Sequence, residues 1–250
     1  MAIHFYFDFV SPYAFVAWTQ IHAIAERNSR TLEVVPVLFA GLLERHGQKG
    51  PAEIPAKRVY TYKDALRKAA RAGIHDFRMP PAHPFNPLTA LRVAHLYSRV
   101  PPAADPQVSS RVPPAADPHV SSRDVQRRVI DALYRAAWRE GAAIDTPEAV
   151  ASALDRAGLD GAALVAAAAT QEIKDRLRRA TDDAIACGVF GVPTARVDDE
   201  IFWGSESLTL LEDFLRGEDP LPRDHGLDRV PVGADRKGHL AAAQQRKPVE

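Results

Sequence analysis

Apolar and polar residues alternate at the start of the chain. Ile3, Phe5, Phe7 and Phe9 are separated by single, mostly polar residues, which is the two-residue period of a β-strand with one buried face. The next buried positions are predicted at intervals of three and four, the period of an amphipathic helix, and they are Phe15, Trp18, Ile21, His22 and Ala25. The pattern therefore predicts a strand followed directly by a helix within residues 3–28.

Ser11 and Pro12 stand at the junction of this strand and helix. Ser is a preferred N-cap residue, and Pro fits the first helical position because its missing N–H would have no partner there. A hydroxyl group is therefore expected at the positive end of the helix, a favourable place for an anion such as a thiolate. The alternative is that Ser11 serves only as the N-cap.

The rest of the chain reads as a helical middle and a short β-rich end. A second, parallel strand is predicted at residues 32–39, where Pro36 indicates an edge or a bulge. A loop is expected at 40–54. Helices are predicted at about 56–72, 87–96, 124–140, from 147, at 160–170 and at 171–187. A hairpin at 194–197 and 200–203 should turn at Asp198 and Asp199, and Ser205 should cap a last helix at 206–216.

Two side-chain expectations follow from these helical periods. The buried face of the helix at 56–72 is predicted to contain Val59, Tyr60, Ala65, Leu66 and Ala69. Cys187 is expected to be buried on the apolar face of the helix at 171–187.

Residues 99–110 and 111–122 are two copies of one proline-rich unit that differ only at Gln107 and His119. The unit contains too little apolar surface to stack as a solenoid repeat. We interpret it as a duplication inside an exposed loop, where added length has a small entropic cost. A loop that recruits a protein partner is the alternative. Composition also predicts that residues 221–250, rich in Pro, Gly and charge, form a flexible tail.

Charge and composition argue against several classes of function. The formal net charge is zero and the sequence pI is about 7.1, so there is no electrostatic reason to expect nucleic acid or a membrane as partner. The first residues form an alternating strand rather than a signal peptide, and no apolar run is long enough to span a bilayer. A single Cys cannot form an internal disulfide, which favours a cytoplasmic location. The His residues lack metal-ligand spacing, so no metal is predicted.

A dithiol oxidoreductase would need Cys-x-x-Cys at the start of the first helix. Residues 11–14 read Ser-Pro-Tyr-Ala instead, so this site cannot exchange its own disulfide and is better suited to an external thiolate. A second candidate segment lies far along the chain, where a predicted strand begins directly after Val192 and Pro193. Such a position favours a cis proline, which would leave the backbone groups of Val192 open to a ligand.

Five segments together resemble one known family, in the order 7–14, 55–58, 84–88, 188–194 and 202–205. The chain is similar over roughly residues 3–216 to 2-hydroxychromene-2-carboxylate isomerases and kappa-class glutathione transferases, which are related to DsbA-type thiol oxidases. The resemblance implies an α/β, thioredoxin-like fold with a helical insertion domain. We expect one domain at 1–220, with the insertion at about 55–187 containing the repeat loop 99–122.

The resemblance implies glutathione as the cofactor, with Ser11 stabilising its thiolate. The other positions that match glutathione-binding residues are Gln48, Lys57, Val192, Pro193, Ser205 and Glu206. Glu206 has a longer side chain than the Asp that the family usually has at this position, and Gln48 is aligned only through a loop. Substrate contacts are expected from Asn86 and from three walls of the pocket, Tyr13, His83 and Trp203. Each position also has a structural alternative: a helix cap, a solvated lysine or ordinary core packing.

These expectations favour an isomerase of a small aromatic 2-oxo acid or hydroxychromene, in which glutathione adds, a carbon–carbon bond rotates and the thiolate leaves. A kappa-like glutathione transferase is the nearest alternative. A non-catalytic thioredoxin-like binding module is the alternative from a different class. A homodimer is expected by resemblance only.

Overall fold

The computed structural model describes residues 2–98, 121–222 and 226–230. The predicted repeat loop therefore lies outside the described residues, except for its last two serines, and so does most of the predicted tail. The chain divides into two compact units, Met1–Gly217 and Glu218–Glu250. In the second unit the described regular structure is one 3-10 turn, Leu227–Arg229.

A mixed four-stranded sheet forms the centre of the first unit. Its strands are β1 (Ala2–Phe7), β2 (Thr31–Pro36), β3 (Thr194–Val197) and β4 (Glu200–Trp203), in the order β2-β1-β3-β4. β1 is parallel to β2, whereas β3 is antiparallel to both β1 and β4. The predicted parallel pair, the edge position of the strand with Pro36 and the hairpin turning at Asp198 and Asp199 are all confirmed.

Nine α-helices occur in the described residues, and seven of them, the second to the eighth, lie between β2 and β3. They are α1 (Pro12–Arg27), α2 (Phe39–Arg45), α3 (Pro55–Arg71), α4 (Leu88–His95), α5 (Ser122–Trp138), α6 (Pro147–Arg156), α7 (Gly161–Ala168), α8 (Gln171–Ala186) and α9 (Leu208–Arg216). Most begin where the sequence offers a cap. Thr146, Asp160 and Thr170 each accept a backbone N–H from the first turn that follows.

Both faces of the sheet are covered. On one face, Ile3, Phe5 and Phe7 are fully buried against α1, α5 and the other helices of the main core. On the other face, Tyr6 belongs to a smaller apolar cluster with residues from the end of β2, from α2 and α8, and from the segment before β3. They are Val35, Val37, Leu42, Ala180, Ala184, Val189 and Val192. The period-2 pattern of β1 predicted only the first of these two apolar layers.

Two sequence-based expectations about this region are wrong. Residues 40–54 are not a loop throughout, because α2 and a 3-10 turn at Pro51–Glu53 lie within them. α3 begins where expected, but Val59, Tyr60 and Leu66 are exposed. Its buried side chains are Thr61, Ala65 and Ala69, so the small residues rather than the large ones face the core.

Cys187 is exposed, which contradicts its predicted burial. It is the C-cap of α8 rather than part of its apolar face. The backbone has left the helical path there, so the period that correctly buries Ile173, Leu177 and Ala184 no longer applies.

No helix within the described ranges is both long enough and apolar enough to cross a bilayer.

Candidate active site

The sheet register brings the two candidate segments together. β3 begins at Thr194, which pairs with Tyr6 near the end of β1. Because the two strands are antiparallel, the residues that follow β1 and those that precede β3 emerge at the same end of the sheet. Ser11 and Val192 consequently meet there, 181 positions apart in sequence.

Ser11 is the N-cap of α1, as predicted, and Pro12 occupies the first helical position. Its Oγ accepts the Ala14 backbone N–H at 3.2 Å. The same hydroxyl group donates towards the Val192 carbonyl, and its Oγ lies 3.5 Å from the carbonyl oxygen. That distance is long for an O–H···O hydrogen bond, so a sulfur anion placed nearby can compete for the same hydrogen.

Val192 and Pro193 are joined by a cis peptide bond, as the sequence predicted. The Val192 backbone N–H donates no hydrogen bond to a described residue, although its side chain packs in the smaller apolar cluster. The Pro193 carbonyl accepts the Gly204 N–H at 2.9 Å, which ties this segment to the end of β4. An extended ligand backbone could therefore add beside Val192 as a further strand does.

An aromatic pair flanks this segment. Trp203 is 53% exposed and packs edge-on against Phe190, with ring centroids 5.1 Å apart. A Cβ added at Gly191 would lie 2.6 Å from the indole Nε1, so the indole lies directly on the Gly191 backbone. Trp203 is thus placed as a wall beside the cis-proline segment, and Phe190 extends this wall although the sequence did not single it out.

Asp8 holds the turn between β1 and α1 in place. Its side chain is fully buried, and its carboxylate accepts the Val10 N–H at 3.0 Å and the Phe39 N–H at 2.9 Å. Burial raises the pKa of this carboxyl group to about 7, although the two hydrogen bonds oppose the shift. Asp8 thereby fixes the turn that presents Ser11 and connects it to the start of α2.

His83 holds the same turn from the side of the helical insertion. Its Nε2 lies 2.8 Å from the Val10 carbonyl and its Nδ1 lies 3.1 Å from the Tyr62 hydroxyl. Because a carbonyl can only accept, Nε2 carries the hydrogen and Nδ1 accepts from Tyr62. Burial lowers the pKa of His83, which agrees with a neutral ring. Both ring nitrogens thus have partners, so His83 positions the Ser11 turn. Its role as a wall of the substrate pocket stays a prediction.

Tyr13 belongs to a charged cluster between α1, α3 and the 3-10 helix Ser205–Ser207 that precedes α9. The Tyr13 hydroxyl donates to Asp64 Oδ2 at 2.9 Å. Lys68 Nζ lies 2.8 Å from the same oxygen, 3.0 Å from Glu206 Oε1 and 4.5 Å from the centroid of the Tyr13 ring. Ser205 Oγ donates to Glu206 Oε2 at 3.2 Å. We call these five residues the Lys68 cluster.

The pKa values of the Lys68 cluster agree with its ion pairs. Burial opposes ionisation of Asp64, but hydrogen bonds from Lys68 and Tyr13 outweigh it and lower its pKa. Burial likewise opposes the charge of Lys68, whose pKa is nevertheless raised by Asp64 and Glu206. Burial and the bond to Asp64 raise the pKa of Tyr13, so its hydroxyl remains protonated and acts as a donor.

Ser205 does not cap the last helix as predicted. Gly204, with φ of 94°, precedes the 3-10 turn, and α9 starts only at Leu208. The Ser205 hydroxyl is directed to Glu206 instead of to a backbone N–H. A hydroxyl and a carboxylate therefore stand side by side at the end of β4.

Three predicted site residues are not joined to these groups by any described contact. Gln48 and Lys57 are exposed, in the turn after α2 and in the first turn of α3. Asn86 is also exposed, and its Oδ1 accepts the Leu88 N–H at 3.1 Å. This bond supports the start of α4, which begins at Leu88 rather than at Pro87 as expected. Their roles in binding stay predictions.

The residues that sequence reasoning missed are Asp64, Lys68 and Phe190. Asp64 and Lys68 are spaced as a helical ion pair, a signal readable from the chain. Their link to Glu206 was not readable, because it depends on how α3 packs beside the end of β4. Among the described residues, no three His, Cys, Asp or Glu side chains are grouped to hold a metal ion.

A groove of about 790 Å³ between α1 and α5 contains none of the predicted site residues. Several of its polar groups already have protein partners. Trp18 Nε1 donates to Asp131 at 2.7 Å, and Arg139 pairs with Asp76 at 2.8 Å. The groove therefore offers no arrangement comparable to the one around Ser11.

The DSBA-like thioredoxin domain family matches residues 2–111 and 118–216. The chain belongs to this family. The predicted fold class is therefore confirmed: a DsbA-like thioredoxin fold, with a mixed sheet and a helical insertion between β2 and β3.

The relatives that match this chain over most of its length have two kinds of name, isomerase and transferase. A 2-hydroxychromene-2-carboxylate isomerase of Sphingobium xenophagum is 26% identical over 216 residues, covering 85% of this chain and 97% of that protein. Glutathione S-transferase kappa 2 of Caenorhabditis elegans is 29% identical over 221 residues, covering 85% of this chain and 91% of that protein. A solved 2-hydroxychromene-2-carboxylate isomerase structure aligns with TM-score 0.65 at 23% identity, covering 87% of this chain and 95% of that one.

Proposed function

We propose that this protein is a glutathione-dependent isomerase that acts on a small aromatic 2-oxo acid or hydroxychromene. The observation that carries the proposal is the Ser11 hydroxyl at the start of α1. Its oxygen accepts the Ala14 N–H, and the same oxygen lies 3.5 Å from the Val192 carbonyl oxygen, to which the hydroxyl donates. The names of two relatives, an isomerase and a kappa-class transferase, support the same class of chemistry.

The residues around Ser11 fit a thiol tripeptide. The Val192 N–H offers a donor to an extended peptide backbone. Ser205 and Glu206 lie at the end of β4, where they would meet the γ-glutamyl end. Lys57 is exposed in the first turn of α3, where it would pair with a carboxylate of glutathione, and Gln48 and Pro193 complete the proposed binding set.

When bound, glutathione would supply a thiolate that adds reversibly to the conjugated side chain of the ring-opened substrate and lets the carbon–carbon bond rotate. Ser11 donates a hydrogen bond to that sulfur, and the α1 N-terminus favours its negative charge. His83 and Asp8 keep the Ser11 turn in place through Val10. Trp203 and Tyr13 border the space for a flat substrate, and Asn86 is proposed to orient its polar groups.

The test is the absorbance-monitored interconversion of 2-hydroxychromene-2-carboxylate and its ring-opened trans isomer. The purified protein is assayed with glutathione, without it, and with a thiol that lacks the γ-glutamyl group. We expect turnover that requires glutathione and leaves its concentration unchanged, because the thiolate is released in every cycle. An absence of turnover under all three conditions would contradict the isomerase proposal.

The kappa-like transferase is the second candidate, because one relative carries that name. The same assay separates the two, since a transferase consumes the thiol as a stable conjugate accumulates. Thiol titration at the end of the reaction therefore decides between them. A binding module without catalysis would show neither turnover nor thiol loss.

A further inference from the structure

Lys68 stands between two carboxylates with part of its hydrogen-bonding capacity left over. An ammonium group has three N–H donors. Asp64 Oδ2 at 2.8 Å and Glu206 Oε1 at 3.0 Å account for two of them within the described residues. The ammonium also lies over the Tyr13 ring, two residues after Ser11. The lysine is therefore fixed in place, close to the start of α1, with one donor still available.

The charges of the Lys68 cluster do not cancel. Asp64 and Glu206 carry two negative charges and Lys68 carries one positive charge, so the cluster has a net charge of about −1 at neutral pH. The Glu206 side chain is 63% exposed, whereas that of Lys68 is 26% exposed. An incoming ammonium group can thus reach Glu206 from solution, and the neighbouring lysine can meet a carboxylate carried by the same ligand.

We propose that Lys68 is a specificity-determining residue that binds the α-carboxylate of the γ-glutamyl group. It would act beside Glu206, which the proposed function already assigns to the same end of glutathione and which would meet the α-ammonium. This inference rests on the proposed function, since it assigns recognition of one end of glutathione to a pair of opposite charges. A zwitterion is the chemical complement of such a pair. Ser205 completes the arrangement because its hydroxyl occupies Glu206 Oε2 and leaves Oε1 to share between Lys68 and the ligand.

The longer side chain of Glu206, compared with the Asp usual in the family, acquires a role in this arrangement. Its carboxylate spans the space to α3 and contacts Lys68. The two residues then select thiols with a free amino-acid end over thiols that lack one charge. A ligand that lacks the carboxylate or the ammonium would leave Lys68 or Glu206 without its ligand partner, and it would therefore bind more weakly.

The experiment pairs protein variants with truncated ligands and measures binding by calorimetry. The probe is S-methylglutathione, which binds without any chemical step. Two analogues each lack one charge: in one the γ-glutamyl group is replaced by γ-aminobutanoyl, which lacks the carboxylate, and in the other by glutaryl, which lacks the ammonium. The variants are Lys68→Met and Glu206→Gln, and Lys63→Met is the matched control because Lys63 is an exposed lysine on the same helix.

We expect Lys68→Met to bind S-methylglutathione about tenfold more weakly than wild type, and to bind the γ-aminobutanoyl analogue at least as tightly as wild type does. Glu206→Gln should also bind S-methylglutathione about tenfold more weakly than wild type, and should bind the glutaryl analogue, which lacks the ammonium, at least as tightly as wild type does. Lys63→Met should match wild type with every ligand. Equal weakening of both ligands in Lys68→Met, or no weakening, would overturn the inference and leave the proposed function standing. Failure of wild type to bind S-methylglutathione would overturn both.

Discussion

Replacing Ser11 by Ala removes the one side-chain hydroxyl proposed to contact the thiolate. A hydrogen bond to a charged acceptor contributes about 1.5–3 kcal/mol, and one pKa unit corresponds to about 1.4 kcal/mol. The bound thiol should therefore have a pKa about one to two units higher in Ser11→Ala than in wild type. The remaining influence of the α1 N-terminus, about 0.3–1 kcal/mol, is common to both proteins.

The effect on rate is smaller than the effect on pKa. A thiolate of higher pKa is intrinsically more nucleophilic, which offsets roughly half of the lost thiolate fraction on a logarithmic scale. We therefore expect turnover of Ser11→Ala to be about threefold to tenfold lower at neutral pH. Above a pH of about 9 both proteins hold the thiolate, so the difference should disappear or change sign.

The assay is the glutathione-dependent isomerisation followed by absorbance over a range of pH, together with ultraviolet titration of the bound thiolate. Ser11 is also the N-cap of α1, so its loss should lower stability by about 1 kcal/mol, or about 2–4 °C in Tm. Ser121→Ala is the control, because Ser121 caps α5 in the same way. It should lose similar stability and keep full activity. Identical pH profiles for Ser11→Ala and wild type would refute the proposed role of Ser11.

Three further predictions concern other parts of the chain. Folded Asp8 keeps its proton up to its pKa of about 7, whereas the unfolded carboxyl ionises near pH 4. Wild type should therefore lose about 1.4 kcal/mol of stability per pH unit as pH rises through that interval, relative to Asp8→Asn. Urea unfolding of both proteins at several pH values measures this difference. A difference in unfolding free energy that does not change with pH would contradict the prediction. Gly191→Ala should force the Trp203 indole outward and increase fluorescence quenching by iodide, since Trp18 and Trp138 are buried; unchanged quenching would show that the indole does not rest on Gly191. Deleting residues 111–122 should leave the glutathione-dependent isomerase activity unchanged in the absorbance assay. If the deletion instead abolished binding of a protein partner, the repeat would be a recruiting loop.

Local signals in the sequence predicted the framework of the site. Ser11 and Pro12 define the start of α1 because capping depends on neighbouring residues alone. The hairpin turning at Asp198 and Asp199 and the cis bond before Pro193 depend on equally short segments. The resemblance over roughly residues 3–216 supplied the fold class.

Features that depend on tertiary packing were not predictable in the same way. Val59 and Tyr60 on α3 were expected to be buried because they are large and apolar, yet Ala65 and Ala69 face the core. Small side chains allow a helix to approach its neighbours closely, and a count of apolar residues does not reveal this preference. The contact between Lys68 and Glu206 spans 138 positions, and no local pattern indicates it.

The N-cap of α5 has a bearing on how this chain could vary in length. Ser121 accepts the Asp124 N–H, and the two form a capping box. Ser121 and Ser122 are also the last two residues of the second repeat unit, and Ser109 and Ser110 end the first. If whole units were gained or lost, Val-Ser-Ser would still precede Arg123. Replication slippage could thus change the number of units during evolution while each resulting protein kept the same residues at the start of α5.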